Sequence, residues 1–438
     1  MNIRIAYGKT GLEIRLPDDL NVKVVEPKYV KGLPDQAGAV RDVLRKPIGT
    51  QPLSALVKPS DKVGIVFNDI TRPTPYHIIL PILLEEIGCV PDRQVTLFNA
   101  VGTHRPNTEA ELRGMLGDKI VDRFRIVQND AGDRNSHVMV GKSKSGNEIR
   151  IHRELVECDV KILTGFIEPH FFAGFSGGGK ACMPGLAMLS TIFGNHSAVH
   201  ISSPKASWGK TTGNPIWEGV REAALMVQPM FLLNVTLNKD KQITAVFAGD
   251  VEKAHSKGCA FVKGNAMVAV KEPFDIVISS NSGYPLDMNL YQSVKGMSAA
   301  SQIVKDGGSI IIAADCCEGI PEHGEYRKLL CGAEDAESLL ETILTPGFQK
   351  QDMWQVQIHA LICKKADVYF YSRNLSDEQI EGALLKPCRN IESTIDKLLG
   401  KYGRKASICV LPEGPQTIPY ICRNNDRRSA TDFTDERR

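Results

Sequence analysis

Six short apolar runs, spread along nearly the whole chain, constrain this sequence more than any other feature. They are KVGIVFND (62–69), QVTLFNAV (94–101), DVKILTGF (159–166), PFDIVISSN (273–281), SIIIAADC (309–316) and DVYFYS (367–372). Each reads as a strand buried on both faces, and helix-like segments such as HIILPILLEEIG (77–88) and NTEAELRGMLG (107–117) stand between them. That rhythm predicts an α/β fold with mostly parallel sheets. In such sheets ligands sit beyond the carboxyl ends of the strands. The first run leads into Asp69 and Arg72, the second into His104, and the third into His170 and Lys180. Thr108 and Glu111 have capping-box spacing, which puts His104 in the loop ahead of a helix.

A chain of 438 residues has room for two or three domains. The stretch VKGNAMVAVKEP (262–273), just before a fresh strand, marks the expected boundary. The division is an N-terminal α/β domain over 1–265 and a C-terminal α/β domain over 270–422. The last residues, 423–438, are charged and poor in large apolar groups, so a frayed tail is expected. Lys and Arg (53) nearly cancel Asp and Glu (51), which argues against nucleic-acid or membrane partners held by bulk charge. No run approaches the roughly 18–20 apolar residues of a membrane helix, and the start has no signal-like apolar region. The 11 cysteines show no C-x-x-C spacing, so free thiols in a reducing cytoplasm are expected.

The run EPHFFAGFSGGGKACMPG (168–185) poses a sharper question. Gly174 to Lys180 satisfies most of a P-loop, but the residue after the lysine is Ala181, without the hydroxyl that would hold Mg²⁺. Pro184 also falls where the P-loop helix would be one turn old, at a cost of about 3 kcal/mol. The bare backbone of Ser176, Gly177, Gly178 and Gly179 offers N–H groups to a phosphate. Lys180 is then either a point charge or, if desolvated, a nucleophilic amine.

Read together, DITRPTP, GTHRP, EPHFFAGFSGGGK with MPG, GNH (194–196), YQSVKG (291–296) and LPEGPQTIP (411–419) resemble the nickel-pincer lactate racemase family. The pieces occur in order from about residue 60 to 420. The resemblance implies a cofactor, the Ni(II)-bound pyridinium-3-thioamide-5-thiocarboxylic acid mononucleotide, joined to a lysine as a thioamide. Lys180 matches that lysine, and His196 matches the histidine ligand of nickel, a chemically sensible borderline donor. His104 and His170 match two acid–base histidines. Two bases are needed because the enantiomers of a 2-hydroxyacid present their hydroxyl in different places. Arg72, with Asp69 three residues before it, matches a substrate contact. Tyr291, Gln292 and Lys295 match residues lining the substrate carboxylate, which places the active site in the cleft between two domains. The phosphate is expected on Ser176 to Gly179. His200 lies four residues beyond His196 without a Glu between them in H-E-x-x-H fashion, and is left out. Cys182 reads as a small buried residue.

The implied activity is racemisation or epimerisation of a 2-hydroxyacid, by reversible hydride transfer through a 2-keto acid. The implied partners are a small hydroxyacid and, transiently, cofactor-synthesis proteins; a homo-oligomer stays open. Two rivals stand beside it. An NAD-dependent 2-hydroxyacid oxidoreductase lacks its G-x-G-x-x-G fingerprint here. A cofactor-free binding protein on the same fold would have no use for Lys180, His104, His170 and His196.

Overall fold

The computed structural model describes residues 1–422, and the expected tail at 423–438 lies outside them. Two six-stranded sheets form the framework. The first runs, edge to edge, Ile243–Gly249, Met230–Leu237, Val160–Phe166, Val63–Asn68, Val95–Ala100 and Arg125–Gln128. All its pairings are parallel except that of the two strands at the Ile243–Gly249 edge. The second runs Lys386–Pro387, Asp367–Tyr371, Val304–Ala313, Phe274–Ser280, Ser407–Leu411 and Asn21–Val24, all parallel. The six apolar runs are therefore strands, and the central ones are buried along their length because helices cover both faces. The helices foreseen at 77–88 and 107–117 occupy Tyr76–Glu86 and Glu109–Leu116, the latter with the Thr108–Glu111 capping box formed.

The two-part division of the chain needs one correction. The hairpin of Asn2–Ile5 and Leu12–Arg15 buries Ile3, Ile5 and Ile14 against Ile276, Ile278, Ile311 and Ile408 of the second sheet. The Asn21–Val24 strand pairs with Ser407–Leu411. Residues 2–24, read as part of the first domain, thus belong with the second sheet. An edge strand's own pattern says which face is apolar, not which sheet it joins. The boundary at 262–273 is equally structured: the Val251–Ala266 helix runs into a strand, Met267–Val270, that pairs in parallel with Ile418–Ile421.

The halves share one continuous core, in which Phe98, Leu163 and Phe175 of the first belong to the same apolar cluster as Val294, Met297 and Ile312 of the second. Trp208 Nε1 donates to Ser298 Oγ across this seam at 3.1 Å. At the carboxyl end of the first sheet a cleft stays open, and the loops after three adjacent strands empty into it. No described helix is long and apolar enough to cross a membrane.

Candidate active site

The cleft, counted with its mouth onto solvent, encloses about 880 Å³. Asp69, Arg72, His104, His170, Ser176, Gly177, Lys180, His196, Tyr291, Gln292 and Lys295 all line it. Gly178 and Gly179 do not. A Cβ on Gly178 would stand 2.6 Å from the His255 ring, and one on Gly179 would stand 2.9 Å from Ala224. Their bareness serves close packing inside the protein rather than approach to a ligand. The expected phosphate cradle is also partly engaged already: Ser176 N–H donates to Glu168 O at 2.9 Å and Gly178 N–H to Asn234 Oδ1 at 2.8 Å. Ser176 Oγ accepts from Glu168 N–H and donates to Phe166 O, so the loop is stitched to the strand end.

One hydrogen-bonded chain crosses the cleft from the second half to the first. The Leu290–Ser301 helix, capped by Asn289, carries Gln292 and Lys295 three residues apart on one face. Lys295 Nζ donates to Gln292 Oε1 at 2.6 Å, which turns the amide N–H₂ toward His104 Nε2 at 3.5 Å. His104 Nδ1 lies 2.5 Å from Asp69 Oδ2. Thr71 Oγ1 donates to Asp69 Oδ1 at 2.7 Å and accepts from Arg72 at 2.8 Å. An ionised carboxylate can only accept. Nδ1 therefore carries the proton in neutral His104, and its Nε2 lone pair faces the cavity. Burial opposes ionisation of Asp69, but His104, Arg72 and Thr71 outweigh it and hold the carboxyl at about 2.

His170 is set the other way. The Ala173 N–H donates to its Nδ1 at 3.2 Å, so the neutral ring carries its proton on Nε2, 3.1 Å from Lys180 Nζ. Burial first, then Lys180, Lys295, Arg72 and His196, pushes His170 well below the ordinary histidine range. Burial also pushes Lys180 well down, reinforced by Arg72 and Lys295 and offset only in part by Glu168. Desolvation thus disfavours the charged form of both partners in this contact. Lys295 is likewise held down to about 7, by burial foremost and then Arg72.

His196 caps the Leu189–Asn195 helix and stands edge-on to Phe172 and Trp354, with ring centroids 5.2 and 5.3 Å away. It is buried, and its Nδ1 is enclosed without a hydrogen-bond partner. Burial, Lys180 and His200 lower it to about 3, so the ring is neutral with its lone pair free. Among the described residues no cluster of three or more His, Cys, Asp or Glu is arranged to hold a metal. His200 is turned to Asn195 O at 2.9 Å, and buried Cys182 has its thiol pushed up to about 12 by burial. His137, His152, His255 and His359 are buried in the scaffold, and His77 and His323 are exposed.

Glu168 carried no assigned role in the sequence, and Trp354 was a candidate wall of the substrate pocket that its position alone does not show. Buried Glu168 pairs through Oε1 with Arg72 Nε at 3.2 Å and accepts from Gln416 Nε2 through Oε2 at 2.8 Å. The signal was there, since in an extended stretch Glu168 points to the same side as His170. Trp354 walls the cavity beside His196, and its Nε1 donates to Tyr291 Oη at 3.1 Å. Nothing local shows that, because the Met353–Lys365 helix reaches the cleft only through tertiary packing.

The family profile described as lactate racemase N-terminal domain matches residues 7–209, and that described as lactate racemase C-terminal domain matches 269–418. The lactate racemase of Lactiplantibacillus plantarum is 39% identical over 417 residues, covering 94% of this chain and 98% of that protein. The lactate racemase of Thermoanaerobacterium thermosaccharolyticum is 36% identical over 423 residues, covering 95% and 99%. The solved structure of its apoprotein superposes with a TM-score of 0.88 at 35% identity, covering 96% of this chain and all 100% of that one. A crystal structure of a Thermotoga maritima protein shares the fold alone, with a TM-score of 0.70 at 19% identity. Fold, site and relatives together define an isomerase of the racemase class. The chain belongs to the lactate racemase family.

Proposed function

We propose that the protein racemises or epimerises a 2-hydroxyacid with the help of a lysine-tethered nickel-pincer pyridinium mononucleotide. The observation that carries this reading is the convergence, in one cavity, of Lys180, whose charged form burial disfavours, with His196, whose buried Nδ1 has no hydrogen-bond partner. The residues fit the group. Burial shifts Lys180 toward the uncharged, nucleophilic amine that acylation needs. His196 offers an imidazole nitrogen, a sensible borderline donor to Ni(II). Lys180 would hold the group covalently, His196 would ligate its nickel, and Ser176 and Gly177 line the same wall.

When bound, the group supplies an acceptor for hydride from the substrate Cα. The chain's own residues do the rest. Arg72, Lys295 and Gln292 converge on the space for a carboxylate, and Arg72 is kept oriented by Glu168 and Thr71. The two histidines are the proposed acid–base pair and rest in opposite tautomers: His104 presents an Nε2 lone pair able to take a proton, and His170 an Nε2–H able to donate a hydrogen bond. A histidine that takes the hydroxyl proton as hydride leaves Cα becomes an imidazolium beside the resulting 2-keto acid, and it gives that proton back to the oxygen when hydride returns to Cα on either face. Phe171, Phe172 and Trp354 wall the cavity with apolar surface that keeps water from the reacting carbon.

Intact-mass and metal analysis of protein produced with the cofactor-synthesis proteins tests the proposal. One adduct on Lys180 with one nickel is expected. Lys180→Ala should lose both, and His196→Ala should keep the adduct and lose nickel. Full racemase activity with an unmodified Lys180 would sink the reading, and rapid washout of Cα deuterium into solvent would replace hydride transfer with proton abstraction.

A further inference from the structure

Behind the reaction cavity lies a second one of about 950 Å³ that nothing above uses. Both halves build it: the hairpin turn between the Met230–Leu237 and Ile243–Gly249 strands, the Val251–Ala266 helix, the connection at 26–30, and Leu286, Glu413 and Gln416. Lys241 and Glu413 face it from opposite halves, both partly withdrawn from water, and among the described residues neither side chain makes a hydrogen bond or ion pair. Burial pushes the Lys241 ammonium down, with Glu413 only partly offsetting it, and burial pushes the Glu413 carboxyl up. Each charge lacks the contact partner that would compensate its desolvation.

Lys241 also sits at φ +61°, in the left-handed region, where Gly or Asn rests without strain. The turn is pinned by Lys241 N–H to Asn238 O and Gln242 N–H to Asn238 Oδ1, each 3.0 Å. A lysine kept where glycine fits more easily points to a use for its side chain.

The wall between the two cavities is a single extended segment whose side chains alternate. Ile167 and Pro169 line the second cavity, whereas Glu168 pairs with Arg72 and His170 lines the first. Gln416 lines the second cavity and donates to Glu168.

We propose that this cavity is a second binding site, for a small organic acid with a hydrogen-bond donor on the carbon next to its carboxylate and an apolar tail. The carboxylate accepts from Lys241, with Lys239 and Lys28 at the rim. The donor, hydroxyl or ammonium, points to Glu413, and the tail lies on Ile167, Phe261 and Val262. Gln416 and Glu168 connect an occupied site to Arg72, so the site has a route to the reaction cavity.

Calorimetric titration of the full chain tests this, in an Arg72→Met, Lys295→Met background that removes both cations of the reaction cavity's carboxylate site. The probes are 2-hydroxy-4-methylpentanoate, leucine, and 4-methylpentanoate, which lacks the donor. One of the donor-bearing acids should bind at a single site, roughly tenfold or more tighter than 4-methylpentanoate; which of them binds identifies the source as hydroxyacid or amino acid. Glu413→Gln and Lys241→Gly should each weaken it by roughly tenfold or more. Lys241→Gly relieves the backbone strain, so its loss of binding cannot be laid to unfolding. The proposal falls if neither donor-bearing acid binds saturably, if 4-methylpentanoate binds equally well, or if binding ignores both variants. None of these outcomes depends on the cofactor, so failure here and failure of the proposed function are told apart.

Discussion

Replacing Asp69 with Asn keeps the shape of the Asp69–His104 contact and removes its charge. In the folded chain the Asp69 carboxyl is held from 3.8 down to about 2. At about 1.36 kcal/mol per pH unit this contributes about 2 kcal/mol. The folded value is the depressed one, so the stabilisation is complete above pH 4 and disappears as pH falls toward 2. Asp69→Asn should therefore cost about 2 kcal/mol at pH 7 and little at pH 2. The catalytic effect follows from the tautomer. A carboxylate accepts only from Nδ1–H, whereas the amide can either donate to or accept from Nδ1, so His104 loses the bias that keeps its Nε2 lone pair toward the cavity. A charge-assisted hydrogen bond is worth about 1.5–3 kcal/mol, so kcat should fall by roughly ten- to a hundredfold. Chiral analysis of product formed from each enantiomer gives the rate. Nitrogen chemical shifts of His104 in the cofactor-free chain give the tautomer, which a merely structural role would not move. If kcat stays within about twofold and the His104 shifts do not change while the melting temperature drops, Asp69 is only a scaffold residue and the argument fails.

Lys295 titrates at 10.5 when unfolded and at about 7 in the fold, so folding disfavours its charged form, fully below pH 7 and progressively less toward pH 10.5. Lys295→Met should thus raise the melting temperature of the cofactor-free chain more at pH 6 than at pH 9, while KM rises roughly tenfold or more. Lys180, desolvated and hydrogen-bonded to His170, should be acylated by a small neutral reagent at pH 7 ahead of the other lysines, with peptide mapping as the readout. Gly174→Ala combines φ +81° with a Cβ 2.1 Å from Lys210 O and should cost roughly 3 kcal/mol or more in denaturant melts. Gly117→Ala, at φ +87° in open space, should cost about 1.

The strands and their order of use were legible because a parallel sheet buried on both faces must be written as short apolar runs, and the residues after such strands must face one edge. That alone delivered Asp69, Arg72, His104, His170 and Lys180 to a common cleft. Residue chemistry also named what each side chain is able to do. The chain by itself did not say which protons they hold. His104 and His170 are the same residue type, and only an Asp69 carboxylate on one ring and an Ala173 N–H on the other set them in opposite tautomers. Nor did it say that the glycines at 178 and 179 serve His255 and Ala224, that Trp354 folds over His196, or that residues 2–24 cross to the second sheet. Periodicity and turn chemistry are short-range and survive in the linear text. Desolvation, tautomer choice and close packing arise from groups far apart in sequence, and they exist only once the two sheets have closed on a shared core.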